Sequence, residues 1–313
     1  MKFYLSFDIG GTNIKYGVLN ELGEVLQRGK VKTKLSGDTI INSIVAIKEK
    51  YAPLYAFEGV AFSVPGIVNI KTGYLKTGGA IKDFYEFDFK KILMEKLSLP
   101  VELDNDVNCV ALAEKWQGNA QSSKNFLCMT IGTGIGGAIF LNGQLIRGHQ
   151  YMAGEFGYML TEDIFSSDDK HVTVSDKASL RDGLRLRYAK HRGDLTVDQV
   201  SGEDIYHLAE QGDILAKQTI AEFYQSLAMA LYNLTFALNP EKILIGGAIS
   251  ERSEIFTAIK QNFQKILAFH NDLQTFSVEQ LVTIENCKFN NDSGLIGAVY
   301  HFITMAKLNS EIE

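Results

Sequence analysis

The chain has 313 residues, 46% hydrophobic and 22% charged, which fits a folded protein of roughly two domains and excludes a disordered or low-complexity one. Its net charge of −6 supplies no basic footprint for a polyanion, so no nucleic-acid partner is expected and a small molecule is. Twenty-eight Gly against four Pro point to a backbone that turns tightly or approaches a ligand closely.

Cys109, Cys128 and Cys287 are odd in number and form no C-x-x-C, which suits a reducing compartment better than a disulfide framework. The opening MKFYLSFDIGG is interrupted by Asp8 and is too short for a secretory core, so a cytoplasmic protein is expected. Residues 125–146 carry no charge over 22 positions, long enough in principle to cross a bilayer. Five Gly with Thr130, Thr133, Asn142 and Gln144 make a poor apolar helix, and no membrane span is expected.

In chain order, FYLSFDI, IKYGVL and EVLQRG read as strands, separated by Gly10-Gly11-Thr12 and by Asn20-Glu21-Leu22-Gly23: an antiparallel meander. A helix follows at 38–51, a strand at 59–64 ending in Ser63-Val64-Pro65-Gly66, a helix near 89–96, the strand VELD, and a helix from about 107 to 117. The small polar stretch 118–123 is the domain boundary expected from composition. Residues 126–146 then repeat the opening plan, FLCMTI, Gly132-Thr133-Gly134-Ile135-Gly136-Gly137, AIFL, Asn142-Gly143 and QLIRG, as an internal duplication would. Residues 161–178 read as a long acidic loop. Helices are expected near 178–191, 203–217 and 213–238, the last apolar nearly all round and therefore buried. LNPEKILIGGAIS gives a strand ending at Gly246-Gly247, and a helix over about 295–307 closes the chain.

Gly132-x-Gly134-x-x-Gly137 matches a dinucleotide fingerprint formally, but that motif needs a helix after the glycines. Here AIFLNGQ follows, a strand and an Asn-Gly turn, which signals a hairpin. Two Gly-Thr hairpin loops, one per half, instead suggest a clamp on one nucleotide, with backbone N–H groups and the Thr12 and Thr133 hydroxyls as donors. Each Gly set taken alone would serve equally as a tight turn. Asp8, beside the first loop, could hold Mg²⁺ or cap the turn. In Asp104-Asn105-Asp106-Val107-Asn108 a strand meets a helix start, where Asn105 or Asp106 could N-cap, project into a ligand site, or do both. Lys15 is either a phosphate contact or a solvated strand-face residue.

Asp8-Ile9-Gly10-Gly11-Thr12, Ser63-Val64-Pro65-Gly66, Asp104-Asn105-Asp106-Val107-Asn108, Gly132-Thr133-Gly134-Ile135-Gly136-Gly137 and Gly154-Glu155-Phe156-Gly157 resemble, in order and over essentially the whole chain, the motifs of the ROK sugar kinases. TIGTGIGGAIF, GEFGYML and GLIGAVYHF resemble the β-glucoside branch of that family. The resemblance implies an α/β fold of the actin-like ATPase (ribonuclease H-like) type, with two duplicated domains and ATP and sugar in the cleft between them. The domains expected are 1–118 with about 295–313, and 119–294. It implies that Asp106 is the general base toward a sugar 6-hydroxyl, that Asn105, Glu155, Gly66, Gly79 and Tyr158 lie at the sugar, and that Asp8, Gly10, Gly11, Thr12, Gly132, Thr133, Gly134, Gly247 and Ala248 lie at ATP, with Asp8 toward Mg²⁺. The implied reaction is ATP-dependent 6-phosphorylation of β-glucosides such as cellobiose. Glucokinase or N-acetylmannosamine kinase is the alternative, and a non-catalytic sugar-sensing protein the distant one. A family repressor would need an N-terminal helix-turn-helix for which the chain leaves no room. Relatives are often dimers, so a homodimer is compatible with the resemblance.

Many family members carry a structural zinc bound by a His just after the Gly-Glu-x-Gly motif and by downstream Cys. Here Tyr158 holds the His position and residues 159–190 contain no Cys, so no zinc site is expected. Tyr158 either takes a sugar hydroxyl or packs in the core with Phe156. His171 is a lone ligand or a surface-loop residue. The loop at 161–178 is expected to admit an aglycone beyond C1.

Overall fold

The computed structural model describes residues 1–165 and 170–312 and divides the chain into two units. The first comprises Met1–Ser122, Arg147–Ala153 and Lys288–Glu313, the second Ser123–Ile146 and Gly154–Cys287.

In the first unit, strands β1 (Phe3–Ile9), β2 (Asn13–Asn20) and β3 (Val25–Lys32) form the antiparallel meander. Strand β4 (Phe57–Val64) lies parallel to β1. After the small hairpin β5 (Val68–Asn69) and β6 (Tyr74–Leu75), β7 (Val101–Asn105) lies parallel to β4, giving the order β3-β2-β1-β4-β7. The period of two in a strand sorts the side chains onto two faces. Leu5, Phe7 and Ile9 of β1 and Val60, Phe62 and Val64 of β4 pack with Ile40, Ile44 and Ile47 of α1 (Gly37–Tyr51) and Leu93 and Leu97 of α2 (Phe89–Leu97). Tyr4 and Ala61 face the other way, onto Cys109 and Ala113 of α3 (Asp106–Gln117) and Leu295, Val299 and Phe302 of the C-terminal helix, Ser293–Ile312.

The second unit repeats this plan. Strands β8 (Phe126–Ile131), β9 (Ile135–Leu141) and β10 (Gln144–Ile146) are the antiparallel part. Strands β11 (Lys242–Gly246) and β12 (Thr283–Asn286) add in parallel, in the order β10-β9-β8-β11-β12. Residues 125–146 are thus sheet and turn, and among the described residues no helix is long and apolar enough to cross a membrane. One face of this sheet, through Leu127, Met129, Ile131, Ile243 and Ile245, packs on Phe223, Leu227 and Leu231 of the long helix Ile214–Leu238.

Several elements differ from the sequence reading. The segment 161–178 is not loop throughout, because Thr173 and Asp176 form a capping box that starts helix α4, Val174–Ala178. The expected helix at 178–191 is a π-helical stretch, Leu180–Leu186, followed by α5, Arg187–Arg192. The helix expected at 203–217 is α6, Gly202–Glu210. It stops because Gly212 takes φ +100° and Asp213 caps a new start through Ala216 N, so that α7 is Ile214–Leu238. Helix α7 is buried on one side only, since Ile214, Met229 and Phe236 are exposed. The first unit takes its last segment from Lys288 rather than 295: buried Glu114 of α3 accepts hydrogen bonds from Lys288 N (2.7 Å) and Phe289 N (3.2 Å) and ties that stretch to the unit.

Candidate active site

The parallel strands of the first unit end side by side, and the sequence motifs lie on those ends. Asp8 of β1 is in register with Ser63 of β4, and Ser63 with Asp104 of β7. The carboxyl edge of parallel strands is where open α/β sheets bind ligands. Asp8 accepts the Ser63 hydroxyl (2.7 Å) on Oδ1, and Lys15 Nζ lies 3.6 Å from Oδ2. Lys15 also donates to Asn291 Oδ1 at 3.2 Å. Its role here is a counter-charge to Asp8 on the neighbouring strand. The loop Gly10-Gly11-Thr12 is closed by Gly10 N donating to Asn13 O at 3.0 Å and by Thr33 Oγ1 donating to Gly10 O at 2.6 Å, which leaves Gly11 and Thr12 exposed.

Asn105 ends β7 and caps α3. Its Oδ1 accepts from Val107 N (2.9 Å) and Asn108 N (3.2 Å), and its Nδ2 donates to Gly66 O (2.9 Å). One amide N–H of Asn105 is left beyond these bonds, so the capping and ligand readings of this residue are compatible. Asp106 is the first residue of α3, half-buried, its Oδ1 accepting from Val107 N at 2.9 Å; a helix N-terminus complements a negative charge there. Gly66, at φ +93°, must be Gly, because a Cβ would lie 2.2 Å from Thr77 O. This turn is stitched by Ile67 N to Thr77 Oγ1 at 3.0 Å, and Gly79 packs against Pro65. Asp8, the loop 10–12, Gly66, Gly79, Asn105 and Asp106 are therefore gathered on one edge of the first unit.

The second unit holds the remainder. Gly132, Thr133, Gly247 and Ala248 line one pocket of about 410 Å³, with Ile131, Leu180, Arg181, Arg185, Ser201 and Gly202. Gly132 N donates to Gly134 O at 3.0 Å, Leu180 N to Gly132 O at 2.9 Å, and Ile135 N to Ser175 Oγ at 3.0 Å, so α4 and the π-helical stretch brace the loop. Gly247 has φ +93°, and a Cβ there would meet Ile131 O at 2.3 Å. Arg181, Arg185 and Ser201 were not marked by any motif. Arg185 is held rigidly, donating to Val200 O (2.7 Å) and Val197 O (2.6 Å).

Glu155 precedes a short turn, Phe156–Tyr158, anchored by buried Phe156. Burial pushes the Glu155 carboxyl above the usual carboxylate range. Tyr158 does not pack in the core with Phe156: it is 74% exposed, whereas Phe156 is buried. His171 is a surface residue, its Nδ1 3.4 Å from Asp176. Among the described residues no group of three or more His, Cys, Asp and Glu could hold a metal ion, and the three Cys are buried and outside any disulfide. Residues 166–169 of the segment expected to admit an aglycone lie outside the described residues.

The model of the ROK family matches residues 4–305. A β-glucoside kinase of Klebsiella pneumoniae is 40% identical over 298 residues, 95% of each chain. Among solved structures, a Listeria monocytogenes protein put forward as an N-acetylmannosamine kinase superposes with a TM-score of 0.86 at 36% identity, covering 97% of this chain and 99% of that one. A ROK family glucokinase of Streptomyces griseus, in complex with glucose and AMPPNP, gives 0.78 at 26% identity over 95% and 98%.

Proposed function

We propose, on the premise that the chain belongs to the ROK family, that it is an ATP-dependent carbohydrate kinase acting on the 6-hydroxyl of the non-reducing glucose of β-glucosides such as cellobiose. The observation that carries the reading is Asp106, a carboxylate on the first turn of α3 whose neighbour Asn105 is locked to Gly66. Phosphoryl transfer is mainly a matter of positioning and charge stabilisation, with a carboxylate orienting the attacking hydroxyl. The sugar oxygen forms a bond to the γ-phosphorus as the bond to the β-bridging oxygen breaks, and Asp106 takes the hydroxyl proton. The remaining Asn105 amide N–H and the Glu155 carboxylate bind sugar hydroxyls, with Gly66 and Gly79 letting the backbone approach and Tyr158 offering an exposed ring.

The loops 10–12 and 132–134 hold the phosphates by backbone N–H and Thr hydroxyls, and the 410 Å³ pocket takes the adenosine beside Gly247 and Ala248. Asp8 suits an Mg²⁺ that accompanies ATP, since that ion keeps most of its waters and needs few protein oxygens; Ser63 occupies Oδ1 and leaves Oδ2 facing Lys15. The ion, when bound, neutralises phosphate charge. A kinase that uses ATP and keeps its Cys outside disulfides suits the cytoplasm.

The 40% identity to a β-glucoside kinase favours β-glucosides, whereas the likeness to a glucokinase complex favours a monosaccharide. Coupled ADP release with Mg-ATP over cellobiose, an aryl-β-glucoside, glucose and N-acetylmannosamine separates them. The β-glucosides are expected to give the highest kcat/KM, and a monosaccharide preference would replace the first reading by the second.

Glu155 gives a pH dependence. Its carboxyl is raised by burial in the free protein, and hydroxyl donors favour the ionised form, so sugar binding lowers that pKa. Affinity should therefore rise with pH from the ordinary carboxylate range up through the raised value, then level off. Isothermal titration in buffers of different ionisation enthalpy, on the acid side of the plateau, should show proton release on binding. Proton uptake, a flat profile in the parent, or a pH-dependent rise that survives in Glu155→Gln would remove Glu155 from the sugar.

A further inference from the structure

Asp104, immediately before the Asn105-Asp106 turn, is 1% exposed, and its carboxylate joins that turn to the elements packed around it. Its Oδ1 accepts from Asn105 N (2.8 Å) and from Asn108 Nδ2 of α3 (3.0 Å). Its Oδ2 accepts from Arg147 Nη2 and lies 3.5 Å from His301 Nδ1 on the C-terminal helix. Burial opposes the charge on Asp104, but the Arg147 charge, the neighbouring His301 and the hydrogen bonds from Arg147 and Asn108 together hold the carboxyl below the usual range. His301 is not the counter-ion: burial brings its pKa down to about 4, so near neutrality the ring is uncharged and Arg147 supplies the charge.

Arg147 reaches Asp104 from the start of the segment Arg147–Ala153, whose ends are joined by Ala153 N donating to Arg147 O at 3.1 Å. Gly154 and Glu155 follow directly. Around the pair, Glu102 Oε2, Asn108 Oδ1, Arg147 Nε and His301 Nε2 are buried without a hydrogen-bond partner. Such atoms are rare in folded proteins and each costs roughly 1–3 kcal/mol unless hydrated. A buried ion pair is itself weak as a source of stability, because desolvation offsets the attraction. A cluster this polar behind an apolar sheet is better explained by the geometry it enforces.

We propose that Arg147 is a positioning residue for phosphoryl transfer, holding the base-bearing turn Asn105-Asp106 through Asp104. This rests on the reading of Asp106 as the base. Misplacement of a reacting group by about 1 Å costs on the order of 10²-fold in rate. Arg147→Met should therefore lower kcat about 30- to 100-fold, with KM for ATP within about threefold because the nucleotide residues of the second unit are untouched.

Arg147→Lys, which keeps the charge, should recover part of the loss. Asp104→Asn combined with Arg147→Met should be no worse than either alone, since the two act as one unit. The kinetics are run on the full chain with cellobiose and Mg-ATP beside Asp106→Asn, with thermal unfolding of every variant. A folded Arg147→Met with kcat within twofold of the parent overturns the inference, as does a loss confined to KM for ATP or additive losses in the double variant. If neither Arg147 variant folds, the residue is structural and the inference also fails. Should Asp106→Asn turn over normally, the base reading falls instead, independently of what Arg147 does.

Discussion

Asp106→Asn is expected to lower kcat by about 10³- to 10⁴-fold, the span that a general base contributes, while sugar affinity stays within about tenfold. Asn keeps the size of Asp and an oxygen able to accept from Val107 N, as Asp106 does at 2.9 Å, so the first turn of α3 and its Asn105 cap are retained. What is lost is an acceptor for the 6-hydroxyl proton, needed only as the oxygen attacks phosphorus, and such a loss falls on kcat rather than on ground-state binding. Rapid-quench measurement of one turnover, with sugar affinity from calorimetry, checks both halves. Turnover within tenfold of the parent would take Asp106 out of the base role.

Gly297→Ala should destabilise the protein by about 3 kcal/mol, the upper end of ordinary overpacking. Alanine is the better helix former by roughly 1 kcal/mol, so propensity alone predicts the opposite sign. The packing decides it. A Cβ on Gly297 of the C-terminal helix would lie 1.7 Å from Cys109 O and 2.8 Å from Cys109 Cα, backbone atoms of α3 that cannot rotate aside. The helices would have to separate, and α3 carries Asn105 and Asp106 at its start. Urea unfolding should show a lower midpoint at unchanged slope; a midpoint equal to or above the parent's would contradict the close approach.

The strands were legible because alternation and turn residues are local signals. Asp8, Gly10 and Thr12, and Thr130 and Gly132, announce strand ends by their own chemistry, and the repeated order of the two sheets agrees with the duplication read from the two meanders. The helical region after 178 was read poorly for an equally physical reason. Apolar periodicity runs on across 211–213, and only the positive φ of Gly212 with the Asp213 cap separates α6 from α7. The π-helical stretch has a period that an α-helical reading does not test.

The candidate site divides the same way. Asn105, Asp106 and the Gly loops stand out in sequence, since a strand-to-helix junction and paired glycines are visible within a few residues. Arg147 does not: it sits in the polar run IRGHQY, and its partner Asp104 is 43 positions away. Arg181, Arg185 and Ser201 reach the pocket of Thr133 and Gly247 only through the folding of the second unit. Lys15 was ambiguous until the register placed it opposite Asp8. These residues are fixed by long-range pairing, for which no local pattern exists.

The most direct test of the central claim is the position of the new phosphate. Cellobiose and Mg-ATP are incubated with the protein and the product is read by phosphorus–proton correlation NMR. The phosphorus should couple to the two C6 protons of the non-reducing ring, with ADP formed in equal amount. Coupling to an anomeric proton or to the reducing ring, or ADP formed without a phosphorylated sugar, would contradict it.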